Sequence, residues 1–154
     1  MTVGLTVLPG LRPRVARGEI ERRAEAMMRA LQLQKEEVSI VLTDDDQIRE
    51  LNRVYRKKDR PTDVLAFAQR EGEHGAAFAQ LLGDVIVSVP TAARQAKAAG
   101  RPVLDEVTML VAHGLLHLLG WDHETAAKDR AMRAETERLC RAAARGQMTF
   151  RRAR

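Results

Sequence analysis

The stretch Pro102-Val103-Leu104-Asp105-Glu106-Val107-Thr108-Met109-Leu110-Val111-Ala112-His113-Gly114-Leu115-Leu116-His117-Leu118-Leu119-Gly120 decides how this chain folds. Val107, Leu110, Val111, Leu115, Leu118 and Leu119 cover nearly every side of a helix, so the segment is expected to be buried all round rather than laid on a surface. Pro102 begins it, since the first helical turn needs no proline N–H. Gly120 ends it by taking the left-handed conformation open to glycine. This reads as the central helix of the fold.

Upstream, Ile20, Ala24, Met27 and Leu31 recur at i, i+4, i+7 and i+11 and predict a one-faced helix. The apolar start up to Leu8, stopped by Pro9-Gly10, reads as a first strand, and Val38 to Leu42 as a second. Thr43 is expected to cap a helix whose first turn welcomes Asp44, Asp45 and Asp46 through its dipole. Ile48, Leu51 and Tyr55 follow at helical spacing, which favours capping over metal binding by these acids. Lys57 to Asp63 is a charged turn, Val64 to Phe67 a short strand, and Gln69 to Gln80, with two glycines, a loop. Gly83-Asp84 is expected as a turn opening the strand Val85 to Val89, followed by a helix from Pro90 to about Ala99 that Gly100 closes. Beyond Gly120, a last helix from about Glu124 turns Met132, Thr136, Leu139 and Ala143 inward. Strands and helices mix without strict alternation and without repeats, so a single α+β domain is predicted.

Composition sets the bounds. A chain of 154 residues, 45% hydrophobic and 31% charged, is one globular domain and neither a disordered polyelectrolyte nor a membrane bundle. The longest apolar run, Met109 to Trp121, is interrupted by two histidines and too short to span a bilayer. The lone Cys140 excludes a disulfide framework, and the first residues lack the layout of a secretory signal, so a reducing, cytoplasmic setting is expected. All 21 acidic residues lie before position 140, whereas Arg141, Arg145, Arg151, Arg152 and Arg154 lie after it. The net charge of +5 therefore sits on the last fourteen residues. Residues 1–142 are read as the domain and 143–154 as a basic tail suited to polyanions.

Three of the four histidines fall within His113-Gly114-Leu115-Leu116-His117-Leu118-Leu119-Gly120-Trp121-Asp122-His123. Four residues of α-helix turn about 400° and climb about 6 Å, so His113 and His117 project from one face, within reach of one metal at about 2.0 to 2.1 Å. Gly120 lets the chain fold back and bring His123 to the same point. Two imidazoles on a leucine-rich helix are buried polar groups that need partners, and a shared cation satisfies both. Neutral imidazoles favour Zn2+, with nickel, copper or iron open. Three ligands leave one position vacant, because Cys140 is on a departing helix and His74 in a loop. Water there would have its pKa lowered toward neutrality, which favours catalysis. Zinc peptidases carry a glutamate beside the first ligand as general base, where this chain has Gly114.

The pattern His-Gly-x-Leu-His-Leu-x-Gly-x-Asp-His resembles the signature of the YbeY family of bacterial metal-dependent endoribonucleases. Leu51-Asn52, Tyr55-Arg56, Lys58-Asp59, Pro61-Thr62-Asp63-Val64-Leu65 and Phe67 resemble its upstream motif, and Gly83-Asp84-Val85-Ile86-Val87-Ser88 its strand segment. The likeness covers roughly positions 48 to 135. Ala66 stands where the family usually has serine, and Trp121 where it usually has tyrosine.

The resemblance implies an α+β fold with a small mixed sheet, a zinc held by His113, His117 and His123, and a functional arginine at Arg56. It also implies cleavage of single-stranded RNA, above all in maturation of the 3′ end of small-subunit rRNA and disposal of defective ribosomes, with the ribosome as partner. A phosphodiester suits these residues, since zinc polarises one phosphoryl oxygen and a guanidinium holds another. Lys57 and Lys58 are candidates to track the backbone, and Trp121 to stack on a base or pack against the site. Asp122 is a candidate to orient a histidine, and Asp84 a further supporting acid. The rival readings are a ribosome-assembly factor with a purely structural metal, and a zinc peptidase.

Overall fold

The computed structural model describes residues 2–69 and 81–152, with side chains placed through residue 144. Four strands, β1 (Val3–Val7), β2 (Glu37–Thr43), β3 (Val64–Ala68) and β4 (Leu81–Ser88), form one sheet in the order β1-β2-β4-β3. β1 and β4 pair parallel with β2, and β3 runs antiparallel along the edge of β4. Helices α1 (Arg17–Ala30), α2 (Asp45–Arg56), α3 (Val89–Ala99), α4 (Val103–Leu118) and α5 (Ala126–Arg152) complete an α+β domain with a mixed sheet. The predicted loop from Gln69 to Gln80, His74 included, lies almost wholly outside the described residues, as do the side chains of Arg145 and the arginines after it.

The strand period of two sorts side chains between the faces of the sheet. Val38, Ile40 and Leu42 of β2 point to one face beside Val85 and Val87 of β4, the register partners of Ile40 and Leu42, and all five are at most 2% exposed. α4 lies on that face, and α1 and α5 close over it, with the predicted inner stripe Met132, Thr136, Leu139 and Ala143 buried. Ile86 and Leu65 point the other way, where Ile48 of α2 covers them as a small second core.

Beyond its first turn, α4 is enclosed as its leucines predict, except along Met109, His113 and His117, which are half-buried and form one line at i, i+4 and i+8. Leu119 is also outside the core, 38% exposed, because it is the residue that caps α4 as the chain turns away. Gly114 is where the helix comes closest to the sheet. A methyl group there would stand 2.5 Å from Cγ1 of Val85, so only glycine permits this approach.

Two local expectations are corrected. Thr43 does not cap α2: β2 runs one residue further and buries it, and Asp44 is the cap, its Oδ1 accepting the Gln47 N–H at 3.0 Å. Asp84 does not sit in a turn: it is inside β4, opposite Phe67 of β3. The strand begins earlier because Gly83, at φ +148°, lets the backbone pass against Phe67 and Leu118 without a side chain.

Candidate metal centre

The three histidines converge. His113 and His117 lie one turn apart on α4, and their Nε2 atoms are 3.0 Å apart. Gly120 takes φ +91°, and the N–H groups of Gly120 and Trp121 return to the carbonyls of His117 and Leu116, reversing the chain. That reversal carries His123 back to ring-centroid distances of 6.0 Å from His113 and 5.8 Å from His117. One nitrogen from each ring lies within 4.8 Å of the others, and among the described residues no fourth such side chain joins the group.

The donor set fits a transition ion. Two nitrogens bound to one tetrahedral zinc at about 2.1 Å are about 3.4 Å apart, so the His113–His117 pair needs to open only slightly. Without a cation, a lone pair that converges here is satisfied only where a neighbouring ring presents its N–H, as His113 and His117 can across 3.0 Å. Burial, reinforced by the neighbouring His117, pulls the His113 imidazole below its ordinary range, with the Asp63 carboxylate opposing. Burial also lowers His117, helped by His123 and Arg56, while a backbone hydrogen bond at Trp121 acts the other way. Both shifts favour the neutral form of His113 and His117, the state in which imidazole ligates.

These histidines wall a cavity of about 400 Å³ whose other side is Arg56 and the segment Thr62 to Ala66. Arg56 ends α2, lies 4.7 Å over the Phe67 ring and donates from Nη2 to the Ala66 carbonyl at 2.8 Å. That contact uses the backbone, so alanine at position 66 serves it. The turn between α2 and β3 is tied down by buried Asn52, whose side-chain amide donates to the Arg60 carbonyl at 2.9 Å. Asp63 Oδ1 accepts the Val64 N–H at 2.8 Å, and its own carbonyl accepts the Ser88 N–H.

Lys57 and Lys58 follow Arg56 as exposed residues at the end of α2, Lys57 in the left-handed conformation. Trp121 is half-buried against the core and lines a different cavity, with Leu119, Asp122 and Lys128. Asp122 accepts the Glu124 N–H at 3.0 Å and pairs with Lys128 Nζ at 3.5 Å, an arrangement that turns the chain between His123 and α5. Asp84 stands on the sheet face opposite α4, with Tyr55 and Phe67, away from the histidines. Cys140, half-buried on α5, is outside the histidine group, and burial pushes its thiol up. Sequence reasoning gave no role to Thr62 and Asp63, which line the cavity. Their signals were an acid in a proline-bearing turn and the likeness of Pro61-Thr62-Asp63 to the family's upstream motif, and nothing in the spacing showed that this turn faces α4.

Comparison with known proteins agrees with this architecture. Residues 13–144 match the family model described as Endoribonuclease YbeY. Proteins named endoribonuclease YbeY from Aquifex aeolicus (46% identical over 124 residues, covering 80% of this chain and 81% of that one) and Moorella thermoacetica (51% over 109 residues, 67% and 70%) are similar to it. The solution structure of TM1509 from Thermotoga maritima shares the fold, with a TM-score of 0.64 over 95% of this chain and 93% of that one at 22% identity. The chain therefore belongs to the YbeY endoribonuclease family.

Proposed function

We propose that this protein is a zinc-dependent endoribonuclease that cuts single-stranded RNA, acting on the 3′ end of small-subunit rRNA and in ribosome quality control in the cytoplasm. The observation that carries the reading is one cavity in which three imidazole nitrogens within 4.8 Å face an arginine. An ion bound there supplies Lewis-acid polarisation of a phosphoryl oxygen and a water of lowered pKa.

The chain's own residues do the rest. His113, His117 and His123 would hold the ion, and Arg56 stands across the cavity from them. Arg56 is positioned by the Ala66 carbonyl and the Phe67 ring, and offers a planar guanidinium to the phosphoryl oxygens as negative charge develops. Asp63 favours positive charge at His113, opposing the burial of that ring. Lys57 and Lys58, next along the surface, track neighbouring phosphates, and the arginines after position 140 add to the attraction for RNA.

The peptidase reading is disfavoured by packing. A glutamate general base at position 114 has no room, because even its Cβ would collide with Val85. A purely structural metal is disfavoured by the donor count among the described residues, since such zinc sites usually take four protein ligands.

The test is a pair of variants measured for metal content and for cleavage of single-stranded RNA beside casein. His117→Ala is expected to lose zinc and cleavage together. Arg56→Ala is expected to keep its zinc and lose roughly 10²- to 10³-fold in cleavage rate, and cells carrying it to accumulate unprocessed small-subunit rRNA. A His117→Ala protein with full metal and full activity would refute the assignment.

A further inference from the structure

A second cavity, of about 660 Å³, lies on the far side of the same histidines: His113 and His123 line both. Its volume is in the range that holds an organic ligand, about 300–1,000 Å³. Its chemistry differs from that of the Arg56 side. Met109 and Met132 line it from α4 and α5, and Thr136 sits between the helices, its hydroxyl donating to the Met132 carbonyl so that its own lone pairs remain as acceptors. Thioethers are polarizable and favour contact with aromatic rings.

Arg101 stands at this cavity, and its side chain is anchored in an unusual way. Glu106 is only 3% exposed and accepts from Arg101 Nε at 2.9 Å, with Nη2 at 2.6 Å. A carboxylate taken out of water needs such a partner, and in return it fixes the plane of a guanidinium that is itself 43% exposed. The other charged groups argue against a phosphate here. Asp129 and Glu137 line the cavity, and Arg133 is committed to Asp129 at 2.8 Å. A planar cation, two thioethers and one hydroxyl acceptor, without spare positive charge, match a neutral, flat, hydrogen-bonding ring.

We propose that this cavity is a nucleoside subsite: it takes the base of the nucleotide next to the scissile phosphate, stacked on the Glu106-anchored Arg101 guanidinium over Met109 and Met132. The inference rests on the endoribonuclease reading for its place in catalysis, since a phosphodiester held between the histidines and Arg56 must extend beyond them on at least one side. Single-stranded RNA is read in this manner, by stacking on side-chain planes, and stacking tolerates any base.

The binding test does not depend on turnover. Full-length, zinc-loaded protein carrying ¹³C-methyl methionine is titrated with adenosine 5′-monophosphate, with adenosine and with inorganic phosphate, and signals are assigned with Met109→Leu. Adenosine and its monophosphate are expected to move the Met109 and Met132 methyl signals while the core Met27 and Met28 signals stay, and phosphate alone is expected to move neither pair. Movement with phosphate alone, or none with adenosine at millimolar concentration, overturns the subsite.

The kinetic test uses Arg101→Lys, which keeps the ion pair to Glu106 but removes the plane. A second variant, Met109→Ala, changes a half-buried contact without touching that ion pair. Both are expected to lower kcat/KM on single-stranded RNA about tenfold, the scale of one stacked base. Both should leave hydrolysis of bis(4-nitrophenyl) phosphate, which needs only the Arg56 side, unchanged. Equal loss on both substrates, or no loss on RNA, overturns the inference. A wild-type protein that binds adenosine as described but cleaves neither substrate refutes the endoribonuclease reading while leaving the subsite standing.

Discussion

Replacing Gly114 by alanine sets two effects of opposite sign against each other. Alanine is the better helix former by up to about 1 kcal/mol in a helix interior, so propensity alone predicts a more stable protein. Packing predicts the reverse. The added Cβ would lie 2.5 Å from Cγ1, 3.0 Å from Cγ2 and 3.3 Å from Cβ of Val85. An ordinary carbon–carbon contact is about 3.5–4.0 Å, so the closest of these is about 1 Å too short.

Val85 has little freedom to yield, being fully buried, β-branched and held between β2 and β3. Relief must come from α4 moving off the sheet, at an overpacking cost of about 1–3 kcal/mol. Packing wins, and a net loss of about 1–2 kcal/mol is expected, a fall of about 2–8 °C in Tm for a chain of this size. His113 is the adjacent residue and moves with the helix away from Thr62 to Ala66, so RNA cleavage should fall even at temperatures where the variant is folded. Urea unfolding of metal-free protein, with zinc content and cleavage measured alongside, checks the claim. Val85→Ala in the same chain should recover part of the loss, because the two residues collide with each other, and the double variant should be more stable than the sum of the single effects requires. A Gly114→Ala protein as stable as the parent or more so, with full activity, would sink the argument that this glycine exists to seat the metal helix on the sheet.

Asp45 provides a test of how α2 is anchored. Burial raises its carboxyl, but hydrogen bonds from Ser88, Thr91 and Arg94 outweigh that and hold it below the ordinary aspartate range. Its contribution is present above that range and lost as pH falls through it, so Asp45→Asn should cost about 1–3 kcal/mol near neutrality and little in acid, as read from urea midpoints against pH. For His113 and His117 the sign is opposite in origin: burial holds both rings below the usual imidazole value, so the unfolded chain takes up protons first as pH drops. Metal-free protein should therefore lose stability between about pH 7 and pH 5, and a His113→Gln, His117→Gln variant should show a flatter profile over that window. Asn52→Leu should free the turn before β3 by removing the amide that holds the Arg60 carbonyl. Zinc binding is expected to survive while RNA cleavage falls roughly tenfold through loss of Arg56 and Asp63 positioning, and equal rates would contradict that.

Much of this was legible in the amino-acid order because it is local. The leucines around α4 announced a buried helix, Gly120 its end, and the 113/117 spacing a pair of imidazoles on one face, since helix geometry is the same wherever a helix lies. The stripe on α5 and the strands at β2 and β4 followed from their periods in the same way. Boundaries were less secure where tertiary pairing extends a strand: Thr43 and Asp84 were drawn into β2 and β4 by hydrogen bonding to neighbours that spacing does not name.

The amino-acid order alone specifies the three histidines and the elements that carry them. The packing of those elements specifies which groups stand across from them. The edge pairing of β3 on β4 brings Arg56, Thr62 and Asp63 to the histidines. The strand period turns Asp84 to the opposite face, and the packing of α5 on α4 opens a second cavity behind His113 and His123. Contacts between residues some fifty positions apart arise from the packing of whole elements, and no local period encodes them.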